Sequence, residues 1–261
     1  MCRSISLLAI AGIVLFGVDA AAEPKTVEEV LQAIQDSVQD VEAWSTDYAM
    51  TMNLSGMSMT AKGSTQARDK MVASEMAMNM AGQQFETRSV IDADGILWTE
   101  MSMAGQKQVF KMDPDGGGNL NNRIPGLGMM NLGGETAGGG MQNPAQILRS
   151  FEGVFDFEYR GIESMDDQDC YTLVGRIKGS AKDVSESLGA GMEMAGAMMN
   201  SIKLHVGTKD GITRRFEMLG KNDAPFMTME YANIALNDAI ADSAFVYTPP
   251  SGVTPMDLMG R

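Results

Sequence analysis

The sequence is poor in the residue types that most catalytic and metal sites require. Its 261 residues include two cysteines and one histidine, His205. Because Cys2 lies in an N-terminal leader, Cys170 is the only cysteine of the mature chain, which excludes an internal disulfide. No Ser-His-Asp or Cys-His arrangement is indicated, and a zinc site would have to use carboxylates. We therefore predict a protein that is not an enzyme, with no catalytic residues, no cofactor and no metal site of the usual kind.

Positive charge is also scarce. The chain has 20 Lys and Arg residues against 34 Asp and Glu residues, which gives a formal net charge of −14. Such acidity argues against nucleic acid and against anionic membrane surfaces as partners, because both repel a negative protein. The acidic residues fall mostly in predicted turns and exposed strand positions, where hydration accounts for them. We expect a monomeric, self-repelling protein.

The first 22 residues have the layout of a secretory signal peptide. Arg3 precedes an apolar stretch at residues 5–18, and Ala20, Ala21 and Ala22 follow it. The apolar stretch is shorter than a membrane-spanning helix requires. We expect cleavage near Ala22, a periplasmic location, and a single mature domain formed by residues 23–261.

Methionine, in contrast, is abundant, with 25 copies against 9 Phe and 2 Trp. Many of the methionines form Met-x-Met pairs, which start at residues 50, 57, 76, 101, 192 and 227. Successive side chains of a strand point to opposite faces of a sheet, so each pair on a strand projects to one face. Turn signals such as Asp94-Gly95 separate these runs between residues 44 and 112. The pattern predicts an antiparallel meander of about six strands.

Three interpretations of the methionines remain open at this point. Methionine is unbranched and polarisable, and it adapts to apolar partners of varied shape. The pairs could form an unusually methionine-rich core. They could line a cavity for a flexible apolar ligand, which is the interpretation we prefer. They could also coordinate a soft metal such as Cu(I) through their thioethers, although no histidine cluster supports this.

A helix and further strands complete the predicted fold. Thr26 and Glu29 form a capping-box pattern, and apolar residues at helical spacing continue to about Glu42. This amphipathic helix is expected to lie on the apolar face of the meander. Later strands are predicted at residues 155–162, 170–177, 202–206, 212–218, 226–235 and 242–250. In total we expect about ten or eleven mostly antiparallel strands, and a sheet of that size tends to curl toward a barrel.

Two segments rich in glycine and methionine interrupt this pattern. Residues 113–143 are typical of a long binding loop, a lid or a disordered insert. Residues 181–201 place apolar side chains at helical spacing, but their glycines weaken a helix by about 1 kcal/mol each. Such a weak helix fits a movable lid as well as it fits a surface helix. The predicted lid residues are Val184, Leu188, Met192 and Met199.

The C-terminal sequence resembles a known family. Tyr231-Ala232-Asn233 is followed by a hydrophobic link and then by Phe245-Val246-Tyr247-Thr248-Pro249, with Gly252-Val253 behind it. This order is similar to the end of the LolA-like superfamily of periplasmic lipoprotein carriers. The stretch 91–98, Ile-Asp-Ala-Asp-Gly-Ile-Leu-Trp, looks like the mid-chain hairpin of that family, and Asp210-Gly211 with Arg214 is similar to a later one. The likeness covers most of the mature chain in layout.

The resemblance implies an incomplete, half-open β-barrel that is closed by helices around an apolar cavity holding acyl chains. It implies a periplasmic carrier, with a membrane-bound donor or acceptor protein as a further partner. The strand arginine with which family carriers contact the lid has no matched position here, and Arg68 and Arg88 are the candidates for it. The segments 113–143 and 181–201 have no counterpart in the family.

We therefore predict an α+β, mainly antiparallel protein that carries lipid or lipoprotein acyl chains without catalysis. Each buried CH₂ group contributes about 0.8 kcal/mol, so one long acyl chain offers on the order of 10 kcal/mol before the costs of binding. The alternatives are a methionine-rich Cu(I)-binding protein and a signalling or scaffold domain that keeps the fold. The predicted cavity lining comprises Tyr48, Met50, Met52, Leu54, Met76, Met78, Trp98, Met101, Met227 and Met229.

Overall fold

The structure is a computed structural model that describes residues 26–54, 57–80, 82–103, 105–112, 148, 151, 153–179 and 198–257. The predicted signal peptide, the loop 113–143 and residues 181–197 of the predicted lid lie outside these residues. The division into a signal peptide, 1–22, and one domain, 23–261, therefore stays a prediction.

One α-helix and twelve strands make up the described part of the chain. The helix is α1 (Val27–Val38), and the strands are β1 (Ala43–Leu54), β2 (Met57–Arg68), β3 (Met71–Met80), β4 (Gln83–Ile91), β5 (Leu97–Met103), β6 (Gln106–Met112), β7 (Phe155–Met165), β8 (Gln168–Ile177), β9 (Ser201–Gly207), β10 (Thr213–Leu219), β11 (Pro225–Leu236) and β12 (Met256–Asp257). Short 3₁₀ turns occur at Lys221–Asp223 and Asp242–Phe245.

All twelve strands belong to one sheet. Their order is β12-β6-β5-β4-β3-β2-β1-β11-β10-β9-β8-β7, and every neighbouring pair is antiparallel except β12 with β6. The end strands β12 and β7 do not pair with each other, so the sheet stays open. The predicted α+β, mainly antiparallel, half-open architecture with a helix is confirmed, and so is the six-strand meander, β1 to β6.

Helix α1 begins at the predicted capping box. The Thr26 amide donates to Glu29 Oε2 over 3.1 Å, and the Glu29 amide donates to Thr26 Oγ1 over 3.2 Å. The helix ends at Val38, four residues earlier than the apolar pattern suggested. Its Val30 and Ile34 are buried in the main hydrophobic cluster, so the apolar stripe lies on the sheet. The helix contacts β7 and the turn at Gly211, however, so it lies mainly over the later strands and not over the meander as predicted.

The register divides the sheet into two unlike faces. Residues that pair across strands share a face, and Met50 pairs with both Ala61 and Met229. We call this side the methionine face. On the other side, Asp47 pairs with Ser64, and Glu75 pairs with Arg88. We call that side the charged face.

The hydrophobic core lies on the methionine face over β1 and β7 to β11. Phe151 stacks on Phe216 with ring centroids 5.4 Å apart and meets Phe155 edge-on at 5.5 Å. These rings share one cluster with Val30 and Ile34 of α1 and with core residues of β8 and β9 such as Leu173, Ile202 and Leu204. Helix α1 and the phenylalanines thereby cover one half of the methionine face.

The C-terminal segment differs from its prediction. Residues 242–250 were expected to form a strand, but Asp242–Phe245 form a 3₁₀ turn and the chain that follows is irregular. The alternating aromatic rings of this segment pack onto the charged face, and its backbone does not pair with a strand of the sheet. Phe245 contacts the cluster of Ala73 and Val90, and Tyr247 stacks on Trp98 with centroids 5.5 Å apart. The segment thus covers part of the sheet rather than extending it.

Gly63 provides a test of this register. A Cβ atom at Gly63 would lie 2.5 Å from Tyr48 Oη and 2.2 Å from the carbonyl oxygen of Glu75. Because a backbone carbonyl in a sheet has little room to shift, Gly63→Ala is expected to lower the free energy of unfolding by about 2–3 kcal/mol. Urea denaturation measures this loss.

Gly153→Ala is the matched control for this substitution, since a Cβ atom there meets nothing within 4 Å. It should change the unfolding midpoint little. Equal midpoints for both variants would contradict the close approach of Tyr48 to Gly63.

Candidate ligand-binding face

The structure brings most of the predicted lining residues together on the methionine face. Tyr48 pairs with Gly63, Gly63 with Met76, Met76 with Thr87, and Thr87 with Met101. One step along the strands, Met229 pairs with Met50, Met50 with Ala61, and Ala61 with Met78. A further step places Met227 opposite Met52. These residues therefore occupy successive rows on one surface.

Trp98 is the exception, and its placement corrects the expected lining. In β5 its neighbours Leu97 and Thr99 occupy the methionine face, so Trp98 lies on the charged face, opposite Val90. There its indole nitrogen donates to Asp92 Oδ2 over 3.1 Å, and Tyr247 covers its ring. The side chain of Leu54 lies outside what the structure describes.

Four of the predicted methionines are part of the closed core. Met50, Met52, Met227 and Met229 are 6%, 3%, 1% and 6% exposed. They belong to the same cluster as Phe216. These four side chains are therefore buried in the core cluster instead of lining an open surface.

The other half of the methionine face is more open. Met76, Met78, Phe85 and Met101 on β3 to β5 are half-buried, and Met103 is 52% exposed. Met78 pairs with Phe85, and Phe85 pairs with Met103, so these five residues form a continuous apolar surface. We call them the open strip. Met76 and Met78 also pack against the core cluster, so the strip continues into the closed half without a polar break.

A row of hydroxyl side chains borders the open strip, and the sequence patterns did not reveal it. The row runs across five strands through Thr46, Thr65, Ser74, Ser89 and Thr99, each paired with the next. Thr65 Oγ1 donates to Ser74 Oγ over 3.1 Å, and the hydroxyls of Ser89 and Thr99 lie 3.3 Å apart. Mutual hydrogen bonds allow these polar groups to be buried beside methionine.

Tyr48 lies between the open strip and the core, in the same row as Met76 and within the core cluster. Burial raises the pKa of Tyr48 to about 12, although its hydrogen bond with Ser74 acts in the opposite direction. The phenol is therefore neutral at physiological pH, and its ring contributes an apolar wall.

Among the predicted lid residues, Met199 is 6% exposed and joins the core cluster, whereas Val184, Leu188 and Met192 lie outside the described residues.

The two candidate arginines lie on the charged face, away from the methionines. Arg68 donates to the carbonyl oxygen of Ile240 over 2.7 Å and to Asp242 Oδ1 over 2.5 Å, and its guanidinium lies over the Phe245 ring. Arg88 lies over the Tyr247 ring. Both arginines hold the C-terminal segment rather than a lid on the methionine face.

Concave sites on the charged face are lined in part by ionic side chains. Cavities of about 450 Å³ and 710 Å³ flank Lys62, whose neighbours in the row, Ala49 and Ala77, are small. Both contain several ionic side chains, among them Asp47 and, in the larger one, Arg215. Such a lining is unsuited to an acyl chain, because burying these charges against hydrocarbon would be costly.

His205 also lies on the charged face. It is 2% exposed, and its Nε2 lies 3.1 Å from Glu163 Oε2. Burial lowers the pKa of His205, and this outweighs the opposing effect of the Glu163 hydrogen bond. The imidazole is thus a neutral, buried sheet residue with no access to a substrate.

Within the described ranges, the structure contains no group of three or more His, Cys, Asp or Glu side chains that could hold a metal ion.

Comparison with known proteins yields matches at the level of structure alone. No protein-family model matches the sequence, and no curated protein matches it. The crystal structure of MucB shares 9% identity and a TM-score of 0.42, over 85% of this chain and 62% of the MucB chain, and a MucA/MucB complex from Pseudomonas aeruginosa also matches. This chain therefore spans less than two thirds of the MucB chain.

Two further matches cover most of both chains. The lipoprotein LppX of Mycobacterium tuberculosis shares 11% identity and a TM-score of 0.44, over 81% of this chain and 94% of its own. A domain from Vibrio parahaemolyticus named for outer membrane lipoprotein sorting shares 7% identity and a TM-score of 0.32, over 83% and 94%. At such TM-scores, function has to be argued from the residues of this chain.

The part of the chain that the structure describes contains no helix with the length and apolar character needed to cross a membrane.

The buried histidine predicts a pH dependence of stability. Unfolded His205 takes up a proton below about pH 6.5, whereas the folded state resists protonation because its pKa is lowered. The free energy of unfolding should therefore decrease as the pH falls from about 7 to 5. Urea denaturation at several pH values measures this slope, and His205→Gln should flatten it.

Glu163 acts in a different pH window. Partial burial acts to raise its pKa, but the hydrogen bond from His205 and the charge of Lys203 outweigh this and lower it. Its stabilising contribution is present above its unfolded pKa, about 4.3, and is lost only at more acidic pH. An unchanged slope between pH 7 and 5 in His205→Gln would show that another group causes the dependence.

Proposed function

We propose that the protein is a non-catalytic carrier of lipid or lipoprotein acyl chains, which bind along the open strip. The observation that supports this proposal is the continuous apolar surface of Met76, Met78, Phe85, Met101 and Met103, which keeps partial exposure beside a fully packed core. Contiguous apolar surface of this kind marks sites for apolar ligands or partners.

The chemistry of the open strip suits a flexible ligand. Its four methionines can change rotamer to follow an acyl chain, whereas Leu or Val would fix one shape. The closed half supplies a rigid border, because the residues beside the strip's inner edge are buried in one cluster with Phe216 and α1. Binding would gain about 0.8 kcal/mol for each CH₂ group transferred from water.

The proposal includes the export and release steps that such a carrier needs. The leader 1–22 would direct the chain to the periplasm, and the acidic, monomeric mature protein would stay dissolved between membranes. The glycine-weakened part of the segment 181–201 that precedes Met199 would act as a lid that opens for a membrane-bound donor or acceptor protein, with Met199 and Ser201 fixed in the core and in β9.

Substitution of the open strip tests this function. Met76→Ser, Met78→Ser and Met101→Ser combined should weaken the binding of a fluorescent fatty acid to delipidated protein by about tenfold or more, which corresponds to a loss of about 1.4 kcal/mol. The physical reason is the loss of apolar contact with the chain. Fluorescence titration measures the dissociation constant, and circular dichroism checks the fold.

Met256→Ser with Val246→Ser is the matched control, since these side chains are 50% and 60% exposed and lie on the C-terminal segment. The control should bind the probe as the unchanged protein does. Absence of stoichiometric binding by the unchanged protein, or equal affinities in the triple variant and the control, would refute the proposal.

A further inference from the structure

Two identical sequence motifs face each other in the core, and the proposed acyl-chain site does not use them. Residues 50–52 and 227–229 both read Met-Thr-Met. They lie on the antiparallel neighbours β1 and β11, where Met50 pairs with Met229 and Met52 pairs with Met227. The two threonines pair with each other and project to the charged face. Four methionines therefore occupy the corners of a small rectangle on the methionine face.

The dimensions of this rectangle allow four sulfur atoms to converge. Paired residues on antiparallel strands have Cβ atoms about 4.5–5.5 Å apart, and residues two apart along a strand are separated by about 6.8 Å. The centre of the rectangle is thus about 4 Å from each Cβ atom. A methionine side chain extends far enough from Cβ for its sulfur to approach a point above this centre.

This arrangement is specific to β1 and β11 within the described strands. Other Met-x-Met pairs on these strands do not lie opposite a second such pair: Met57 and Met59 are opposite Leu54 and Met52 on β1, and Met78 and Met80 are opposite Ala61 and Met59 on β2. Met76 and Met78 face Thr87 and Phe85 on β4. Met101 and Met103 likewise face Thr87 and Phe85 on β4, and glutamines on β6. In none of these cases does a second thioether pair complete the set.

The donor set selects for a soft cation. Thioether sulfur is neutral and polarisable and prefers Cu(I) or the similar Ag(I), while it binds hard cations such as Mg²⁺ and Ca²⁺ poorly. The four methionines are at most 6% exposed. The Tyr231 hydroxyl donates to Met229 Sδ over 2.8 Å, which fixes the position of one sulfur beside the rectangle. His205 and Cys170 lie in strand positions of the charged face and do not belong to this set.

We propose that Met50, Met52, Met227 and Met229 form a thioether site for one monovalent soft metal ion, Cu(I) or Ag(I). Met59 and Met218 pair with Met52 and Met227, respectively, so further thioethers flank the site along the same row. The site is separate from the open strip, and metal binding does not depend on whether the open strip binds acyl chains.

Titration with Ag(I), which avoids the redox chemistry of copper, tests the site directly. The full chain is expected to bind one equivalent tightly by calorimetry, and to compete for Cu(I) with a chromogenic chelator under anaerobic conditions. The combined change Met50→Leu, Met52→Leu, Met227→Leu and Met229→Leu conserves apolar volume, so the core should still pack. It should weaken Ag(I) binding at least 100-fold.

The matched control changes Met76, Met78 and Met101 to Leu, which removes three thioethers from the same face but leaves the rectangle intact. It should retain the affinity for Ag(I). Should the fourfold variant not fold, Met50→Leu with Met229→Leu is measured instead, together with NMR of methionine methyl groups, whose shifts on Ag(I) addition should be confined to the rectangle and its flanking methionines. Absence of one-equivalent binding, retained affinity in the leucine variants, or equal loss in the control would overturn the proposal.

Discussion

The register of β1 with its two neighbours is the constraint on which the rest of the structure depends. All residues from Ala43 to Leu54 pair with β2, and most of them pair with β11 on the other edge. A shift of one residue would exchange the faces of the whole strand. Met50 and Met52 would then meet solvent, and Asp47 would enter the hydrophobic cluster. Packing on one face and hydration on the other therefore enforce the same alignment.

Residues of one type have different roles because their neighbours differ. Met50 and Met229 belong to the same buried cluster as α1 and the phenylalanine stack, and they are almost fully shielded from solvent. Met78 and Met103 lie on the same face but beyond this cover, so they keep exposure. The boundary between core and surface on this face is set by the reach of the covering elements. Hydrophobicity along the strands does not change at that boundary.

The sequence patterns predicted the features that depend on local spacing. The capping box at Thr26 and Glu29, the meander and the shared face of Met50 and Met52 all follow from periodicity and turn residues. The assignment of Trp98 to the lining is wrong for a local reason. Trp98 and Met101 are three residues apart in the regular strand β5, so alternation alone places them on opposite faces, and the pairing of β4 with β5 agrees with this.

Features that depend on register between distant strands were also beyond the sequence. The hydroxyl row combines residues from five strands, each of which contributes a single Ser or Thr that looks unremarkable by itself. The opposition of the two Met-Thr-Met motifs depends on a pairing between β1 and β11. The alternation of residues 242–250 predicts a strand, but it comes from Phe245 and Tyr247 packing their rings onto a sheet face.

The pairing of β1 with β11 also sets the order in which the chain can be completed. Thr46 and Ala232, which are joined by a hydrogen bond, are 186 residues apart. During synthesis β1 can join β2 early, but its second edge has no partner until most of the polypeptide has been made. Until then the nascent sheet consists of two incomplete halves with unpaired, partly apolar edges, which are the places where newly made β-proteins associate with one another. Arrival of the penultimate strand joins the halves and removes both of these edges at once.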